Sequence, residues 1–303
     1  MPNVWPQLPL DDWQDTYATL HLWTQIVGKI RLVQTPWINH SWHVPLYLTA
    51  RGLTTSTIPS ADQIFQIDFD FFDHQLRIAT SEGSVQTVEL RPRSVADFYQ
   101  AVMATLADLG IAVRIHTTPN EITDAIPFEQ DEIHGAYDAD AAQRFWRVLL
   151  QCDCVFREFR SHFSGKVSPV HFFWGSFDLA VTRFSGRPAP EHPGGVPNLP
   201  DDVAQEAYCQ EVSSAGFWPG MGLGYPAFYS YAYPVPEGYK DARVQPDAAF
   251  FHEGLGEFVL PYDAVREAAD PDQALLKFLH STYEAAANLA NWDTTALQQT
   301  WFK

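Results

Sequence analysis

Histidine is the side chain best suited to acid–base chemistry near neutral pH, and two histidines stand at matching places in this sequence. His43 and His171 each open the first strand predicted after a long helix. Two imidazoles that face one cleft can act as a catalytic acid and base. We therefore predict His43 and His171 as the catalytic pair. The alternative is that each is a hydrogen-bonded histidine in a separate core.

Aromatic residues at turns and strand starts accompany these histidines, and such residues often line ligand pockets. One further histidine and one carboxylate join them in the predicted ligand-binding set: Trp37, His40, Trp42, Trp174, Glu211 and Trp218. As alternatives, the tryptophans would close the ends of a sheet and Glu211 would lie on the surface.

The sequence contains residue spacings typical of metal ligands, but none of them supplies a complete set of ligands. His40 and His43 are three residues apart, whereas a zinc site needs at least a third protein ligand. A His-Glu-x-x-His motif is absent at His252, because Gly256 occupies the position of the second histidine. Cys152 and Cys154 lie two apart on a predicted helix and point in different directions. We therefore expect no metal and no cofactor.

Two long amphipathic helices precede the two histidines. The periodicity predicts one helix over residues 11–32 and another over residues 138–163, because apolar residues recur at steps of three and four. The repeating positions are Trp13, Tyr17, Leu20, Trp23, Val27 and Ile30 in the first helix, and Phe145, Leu149, Cys152, Phe156, Phe159 and Phe163 in the second.

Strand patterns follow each helix. Apolar and polar residues alternate over 64–71, and short turns lead to further strands up to Leu90. Both halves of the chain run through a helix, a turn, several strands, a Leu–Pro ending and another helix. We therefore predict an α+β fold made by tandem duplication, in which each repeat is an antiparallel β-meander of about four strands flanked by helices.

Composition divides the chain into two predicted units. Residues 1–116 form the first α+β repeat, and residues 117–137, which are polar and acidic, form a linker. Residues 138–303 form the second repeat. It contains a Pro-rich insertion, 185–202, with five prolines. A segment of that kind is typical of a functional surface loop, so we expect it to fold across the mouth of a cleft.

The acid excess of the chain limits its partners. It carries 37 acidic and 19 basic residues among 303, a formal net charge of −18. Nucleic-acid affinity depends mainly on neutralised phosphates, so we expect no nucleic-acid partner. No apolar run reaches the roughly 20 residues of a membrane helix, and the first residues do not resemble a signal peptide. Three cysteines, an odd count, fit a reducing compartment, and we predict a cytoplasmic protein with no membrane partner.

Four motifs spread along the chain resemble a known family. They are Trp5-Pro6-x-Leu8-Pro9, Pro36-Trp37-Ile38-Asn39-His40-x-Trp42-His43, Gly216-Phe217-Trp218-Pro219-Gly220 and Glu257-Phe258-Val259-Leu260-Pro261-Tyr262. Together they resemble an uncharacterised bacterial family of about this length, known only as a domain of unknown function. The resemblance covers essentially the whole chain and implies no substrate, cofactor or catalytic residue.

Two functions from different classes are compatible with these patterns. We favour small-molecule binding or hydrolytic-type catalysis in an aromatic and histidine cleft between the repeats. The alternative is a non-catalytic protein-interaction module that presents an exposed aromatic surface. A concave cluster of the predicted residues favours the first function, and a flat patch or dispersal through separate cores favours the second.

Overall fold

The computed structural model describes residues 5–298 and has an α+β fold. The first four residues, which belong to the segment that does not resemble a signal peptide, lie outside this range, as do residues 299–303 at the end of the second predicted unit. The helices within it are α1 (Gln14–Gln34), α2 (Val95–Asp108), α3 (Ala139–Ser161), α4 (Asp201–Ala207), α5 (Tyr262–Arg266), α6 (Pro271–Leu289) and α7 (Thr294–Leu297). No helix among the described residues is both long enough and apolar enough to cross a membrane.

The first sheet is an antiparallel meander whose five strands lie in sequence order. The strands are β1 (Tyr47–Leu48), β2 (Gly52–Pro59), β3 (Ile64–Asp70), β4 (Gln75–Thr80) and β5 (Val85–Glu89). The predicted alternation is confirmed in β3, where Phe65, Ile67 and Phe69 are buried and the residues between them are half-buried. This sheet therefore buries one face and leaves the other accessible to solvent.

The second sheet has six antiparallel strands. They are β6 (His171–Phe173), β7 (Asp178–Pro188), β8 (Gln210–Trp218), β9 (Ala227–Tyr233), β10 (Phe250–His252) and β11 (Glu257–Pro261). Their spatial order is β10-β11-β9-β8-β7-β6. The last hairpin therefore breaks the meander, because β11 pairs with β9 and leaves β10 at the edge.

The tandem duplication is not confirmed by this arrangement. The first four strands of the second sheet follow a meander, as predicted, but the exchanged positions of β10 and β11 give the two sheets different strand orders. Buried side chains of both halves also belong to one continuous hydrophobic cluster. The two halves are thus packed as one body around α1 and α3, and their common origin stays a prediction.

The long helices form as their sequence patterns predict. Asp138 caps α3 by accepting a hydrogen bond from the backbone N–H of Ala141, and Ser94 caps α2 in the same way through Asp97. Cys152 is fully buried on the apolar side of α3, whereas Cys154 is exposed. The two cysteines therefore point in different directions, as expected from their spacing.

The predicted linker and insertion are packed against the rest of the chain. In the linker, Phe128 is fully buried and Asn120 is nearly so. The irregular part of the insertion is shorter than predicted: β7 continues to Pro188, which pairs with Gln210, and α4 begins at Asp201. A strand can include Pro188 because proline is tolerated beside a β-bulge, which the register shift between Phe184 and Pro188 marks.

Candidate functional site

Three tyrosines line one face of the second sheet. Tyr229, Tyr231 and Tyr233 alternate along β9 and lie opposite Gly216, Ser214 and Val212 of β8. The other face of β9 carries Phe228, Ser230 and Ala232, which are buried. We call the tyrosine-bearing surface of β6–β11 the tyrosine face. Its three rings are only half-buried, so the face is surrounded by protein and still reached by solvent.

Asp178 is the central polar group of the tyrosine face. It begins β7, is only 6% exposed, and accepts a hydrogen bond at Oδ2 from the Tyr229 hydroxyl. Tyr229 reaches it from β9 by lying across Gly216 on the intervening strand, where a Cβ atom would stand 2.4 Å from the Tyr229 hydroxyl oxygen. The other oxygen, Asp178 Oδ1, is buried and has no hydrogen-bond partner among the described residues. One carboxyl oxygen of Asp178 is therefore held by Tyr229, and a Ser176 hydrogen bond also opposes the rise in the pKa of this group.

Burial perturbs the carboxyl groups of the tyrosine face. Loss of solvent raises the pKa of Asp178 to about 7, although the Tyr229 hydrogen bond opposes the shift. Desolvation likewise raises the pKa of Glu257, on β11, to about 7, with a further contribution from the charge of Asp178. Groups with pKa values near 7 can both accept and donate protons at neutral pH. The two carboxyl groups therefore meet the electrostatic requirement for acid–base chemistry.

A third carboxyl group comes from the predicted linker. Glu121 adopts a positive φ of 62°, and its Oε2 accepts a hydrogen bond of 2.8 Å from the Ser176 hydroxyl. Its Oε1 fits against Gly175, where a Cβ atom would lie only 2.0 Å away. Desolvation raises the pKa of Glu121, and its charge in turn raises the pKa of Asp178. The linker thus completes the polar cluster of the second sheet.

The irregular segment after β7 borders the tyrosine face. His192 stacks on Tyr208 with 4.6 Å between ring centroids, and the Tyr208 and Tyr231 hydroxyls are 2.8 Å apart. Tyr233 donates to the backbone oxygens of Pro190 and Glu191, each at 3.2 Å. Desolvation raises the pKa of Tyr208 to about 12, so its hydroxyl keeps its proton and remains a donor.

Helix α1 contributes to the same region. Desolvation raises the pKa of Tyr17, while hydrogen bonds to Trp218 and to the backbone of Met221 oppose the shift. His21, one turn later, contacts the backbone oxygen of Gly175 through Nε2 at 2.7 Å. Burial lowers the pKa of His21 to about 4, so its imidazole is neutral at pH 7. Residues from both halves of the chain therefore meet at the tyrosine face.

The predicted catalytic histidines are both buried. His171 is on β6, where it faces Phe173, and its Nδ1 has no partner among the described residues. His43 accepts a hydrogen bond at Nδ1 from the backbone N–H of Ile38. Burial lowers the pKa of each imidazole, to about 3 in His171, and the charge of Arg31 lowers both further. Both rings are therefore neutral and near the same guanidinium.

The six predicted ligand-binding residues separate into several environments. Trp218 lies next to Tyr17 at the tyrosine face, whereas Trp174 is buried and donates to the backbone oxygen of Val44. Trp37 is 55% exposed, and Glu211 forms an ion pair with Arg187 at 2.7 Å. His40 and Trp42 lie together, with ring centroids 5.4 Å apart.

Sequence reasoning missed the carboxyl groups at the centre of the cluster. Glu121 belongs to the predicted linker, Glu257 opens one of the four family motifs, and Asp178 belongs to no predicted site. One signal was present: the alternation of Tyr229, Tyr231 and Tyr233 indicates a strand with a second, aromatic face. A glycine inside a strand, such as Gly216, further indicates the close approach of another group.

Two concave regions of the described chain lie away from the tyrosine face. One, of about 380 Å³, is bordered by Gly238, Arg243 and α6. Another, of about 610 Å³, is lined by Tyr99, Arg114, Ile115, His116, Thr117 and Glu129. Neither is lined by Asp178, Glu257 or Glu121.

Comparison with known proteins agrees with the resemblance seen in the sequence motifs. No curated protein and no solved structure matches the chain. A family model does match residues 5–299, which is nearly the whole sequence. The chain therefore belongs to DUF5996, a family of unknown function.

Proposed function

We propose that the tyrosine face binds a small molecule and supports hydrolytic-type acid–base catalysis on it. The observation that carries this proposal is Asp178: a buried carboxyl group with one oxygen held by Tyr229, the other unpartnered, and a pKa of about 7. Strongly perturbed carboxyl groups in a cleft are typical of functional sites.

Asp178 and Glu257 share the acid–base roles in this proposal. The charge of Asp178 raises the pKa of Glu257, so one of the two carboxyl groups favours the protonated form while the other is ionised. The protonated carboxyl donates to a leaving group, and the ionised carboxyl accepts a proton from water. Tyr229 orients Asp178 from β9.

The charge of the cluster selects among ligands. Glu121, Asp178 and Glu257 repel anions, and the described residues whose charges act on Asp178 and Glu257 include no cation. The tyrosine hydroxyls offer donors and acceptors, and their rings offer apolar surface. We therefore expect a neutral or cationic small molecule that carries hydroxyl or amino groups.

His43 and His171 remain candidates within the same proposal, but with a changed role. Their neutral, buried rings suit the support of the edge strand β6 better than proton transfer. Localisation in the cytoplasm stays a prediction of the odd cysteine count, and the lack of a nucleic-acid partner stays a prediction of the acidic composition.

A panel of chromogenic nitrophenyl esters and glycosides tests the function, with neutral, cationic and anionic members. We expect turnover of neutral or cationic members by the wild-type protein. The variants Asp178→Asn and Glu257→Gln should lose it while they remain folded. Glu82→Gln, in an exposed turn of the first sheet, serves as the matched control and should keep full activity. Equal turnover in all four proteins would contradict an acid–base role for the cluster.

One observation favours the alternative, a non-catalytic interaction module. Val33, Trp37 and Ile38 are each about half exposed and lie close together in sequence around the end of α1. An apolar patch of three residues is within the range that monomeric proteins expose, so we rank this function second.

A further inference from the structure

A second cluster of reactive side chains lies at the other end of the tyrosine face. His40 comes from the 3₁₀ turn Asn39–Ser41, Glu206 from the last turn of α4, and Cys209 from the connection to β8. One ligand atom from each residue lies within 4.8 Å of the other two. The imidazole of His40 rests against Phe184 of β7, with 4.7 Å between ring centroids. The proposed acid–base site uses none of these groups.

Hydrogen bonding orients the imidazole of His40. Its Nδ1 is 3.0 Å from the backbone oxygen of Ala207, which has no proton and must accept. The Nδ1 atom therefore carries the ring proton, and Nε2 carries the lone pair. Histidines that bind metals are commonly oriented in this way, with the other ring nitrogen donating to a carbonyl or carboxylate.

The backbone at His40 is held in a costly conformation. His40 and Ser41 both have positive φ values, 58° and 55°, which side-chain-bearing residues rarely adopt. The backbone N–H of His40 donates to both carboxylate oxygens of Glu206, at 2.9 and 2.7 Å. Conformations of this kind cluster at binding sites, because the strain positions a particular side chain.

Lys166 supplies positive charge to the cluster. Its Nζ lies 2.5 Å from His40 Nε2 and 3.1 Å from Gln210 Oε1, and above the ring of Phe184. Burial lowers the pKa of Lys166, while the charges of Cys209 and Glu206 oppose that shift. The ammonium thus lies among an imidazole lone pair, a thiol and a carboxylate, all of which are groups that bind cations.

We propose that His40, Glu206 and Cys209 form a binding site for a divalent metal ion of the zinc class, and that Lys166 is the cation that occupies this cluster when the metal is absent. Imidazole, thiolate and carboxylate are the three ligand types of zinc. Bonds of about 2.0 to 2.3 Å to a tetrahedral ion place ligand atoms about 3.5 Å apart. The cluster therefore needs to contract by roughly an ångström.

Metal binding at this site releases a proton. The Cys209 thiol must lose its proton to become a ligand, so one proton is released for each metal ion bound. Lys166 withdraws toward solvent and leaves Nε2 of His40 to the metal. Because Cys209 is exposed, water can fill the remaining coordination position.

Titration of the chelator-treated full chain with Co²⁺ tests the site directly. We expect one ion to bind, with thiolate-to-cobalt charge-transfer absorption in the near ultraviolet. An equivalent of Zn²⁺ should then remove that absorption. Cys209→Ser should abolish the charge-transfer band. Glu206→Gln, which can still accept the His40 N–H, should weaken binding by more than about tenfold.

Two further variants distinguish a specific metal site from adventitious metal binding. Cys154→Ser, at the other exposed cysteine, should bind Co²⁺ as the wild type does. Lys166→Met should bind it more tightly, because the competing ammonium is gone, and a merely structural lysine would not produce that gain. Circular dichroism of each variant checks its fold. Failure of the folded wild type to bind, or an unchanged charge-transfer band in Cys209→Ser, would overturn the proposal.

Discussion

The two sheets of this protein carry acidic residues in opposite electrostatic settings. On the first sheet, Asp70 is paired with Arg51 at 2.6 Å and accepts backbone hydrogen bonds from Phe72 and Asp73. On the second sheet, Asp178 is buried without a cation. Burial is the largest single influence on Asp70 and raises its pKa, but Arg51 and the backbone donors together outweigh burial and the net pKa is lowered. In Asp178, burial prevails and the pKa rises to about 7.

Asp70 therefore stabilises the folded state at neutral pH, whereas Asp178 destabilises it. A carboxyl group with a lowered pKa adds stability at neutral pH, whereas one with a raised pKa subtracts it. Proteins retain such costly groups chiefly where they serve binding or catalysis. The contrast between Asp70 and Asp178 is therefore the physical basis of the proposed function, and it can be tested by substitution at either position.

The largest effect is expected from Asp178→Asn. The folded state binds a proton at Asp178 below about pH 7, and the unfolded state does so only below about pH 4. Wild-type stability should therefore fall as the pH rises from about 4 to 7, and the asparagine variant should lack that component. At pH 8 we expect the variant to be more stable by roughly 4 kcal/mol, less the cost of an unpaired amide. Urea denaturation at pH 4, 6 and 8 measures this.

The companion readout for Asp178→Asn is turnover. Higher stability together with lost turnover is the pattern expected of a site whose charge opposes folding. A variant that is less stable than the wild type at pH 8 would show that the carboxylate is well paired, and would remove the basis of the comparison.

The next largest effect is expected from Gly216→Ala. The added Cβ atom would stand 2.4 Å from the Tyr229 hydroxyl and 2.5 Å from the backbone oxygen of Leu179. Because the Leu179 oxygen belongs to a paired strand, it cannot move aside, and we expect a loss of about 1 to 3 kcal/mol. Displacement of Tyr229 should also release Asp178 and lower turnover.

Gly254→Ala is the matched control for that substitution. Gly254 lies in an exposed turn, and an added Cβ atom there would meet only the end of the His252 side chain at 3.2 Å. Its stability should change by less than about 0.5 kcal/mol. Similar thermal melts for the two alanine variants would mean that Tyr229 does not need the space above Gly216.

His171→Ala tests the predicted histidine pair and should have an intermediate effect. The ring of His171 is almost fully buried, so its removal should cost about 1 to 3 kcal/mol through lost packing and an unfilled space. His43→Ala should behave similarly, since His43 is also buried. Unchanged melting temperatures with lost turnover in both variants would instead restore the histidines as the catalytic pair.

Much of the fold follows from local patterns, and much of the site does not. The alternation in β3 and the periodicity of α1 and α3 are local, so the sequence predicts them. The contact between Asp178 and Tyr229 joins residues 51 apart, and it depends on the register of two strands against β8. Nothing in either local pattern specifies that register.

The metal-like spacing illustrates the same limit. The sequence pairs His40 with His43, because they are close along the chain. In the structure the partners of His40 are Glu206, 166 residues away, and the neighbouring Cys209. The positive φ of His40 turns its side chain toward α4, and sequence spacing cannot report that turn. A site formed by residues far apart in sequence can therefore be identified only from the folded structure.

The smallest effect is expected from Asp70→Asn, and its sign should be opposite to that of Asp178→Asn. The lowered pKa of Asp70 means that its contribution is present above the unfolded pKa and is lost as the pH falls through the folded value. The Arg51 side chain is half exposed, so solvent screens the pair and the loss at pH 8 should be no more than about 1 kcal/mol. Added salt should shrink that loss further, whereas the gain in Asp178→Asn, at a buried group, should depend little on salt. Urea denaturation of both variants at low and high salt measures the two responses. If both substitutions shift stability in the same direction at pH 8, the two carboxyl groups share one electrostatic environment and the distinction between the sheets fails.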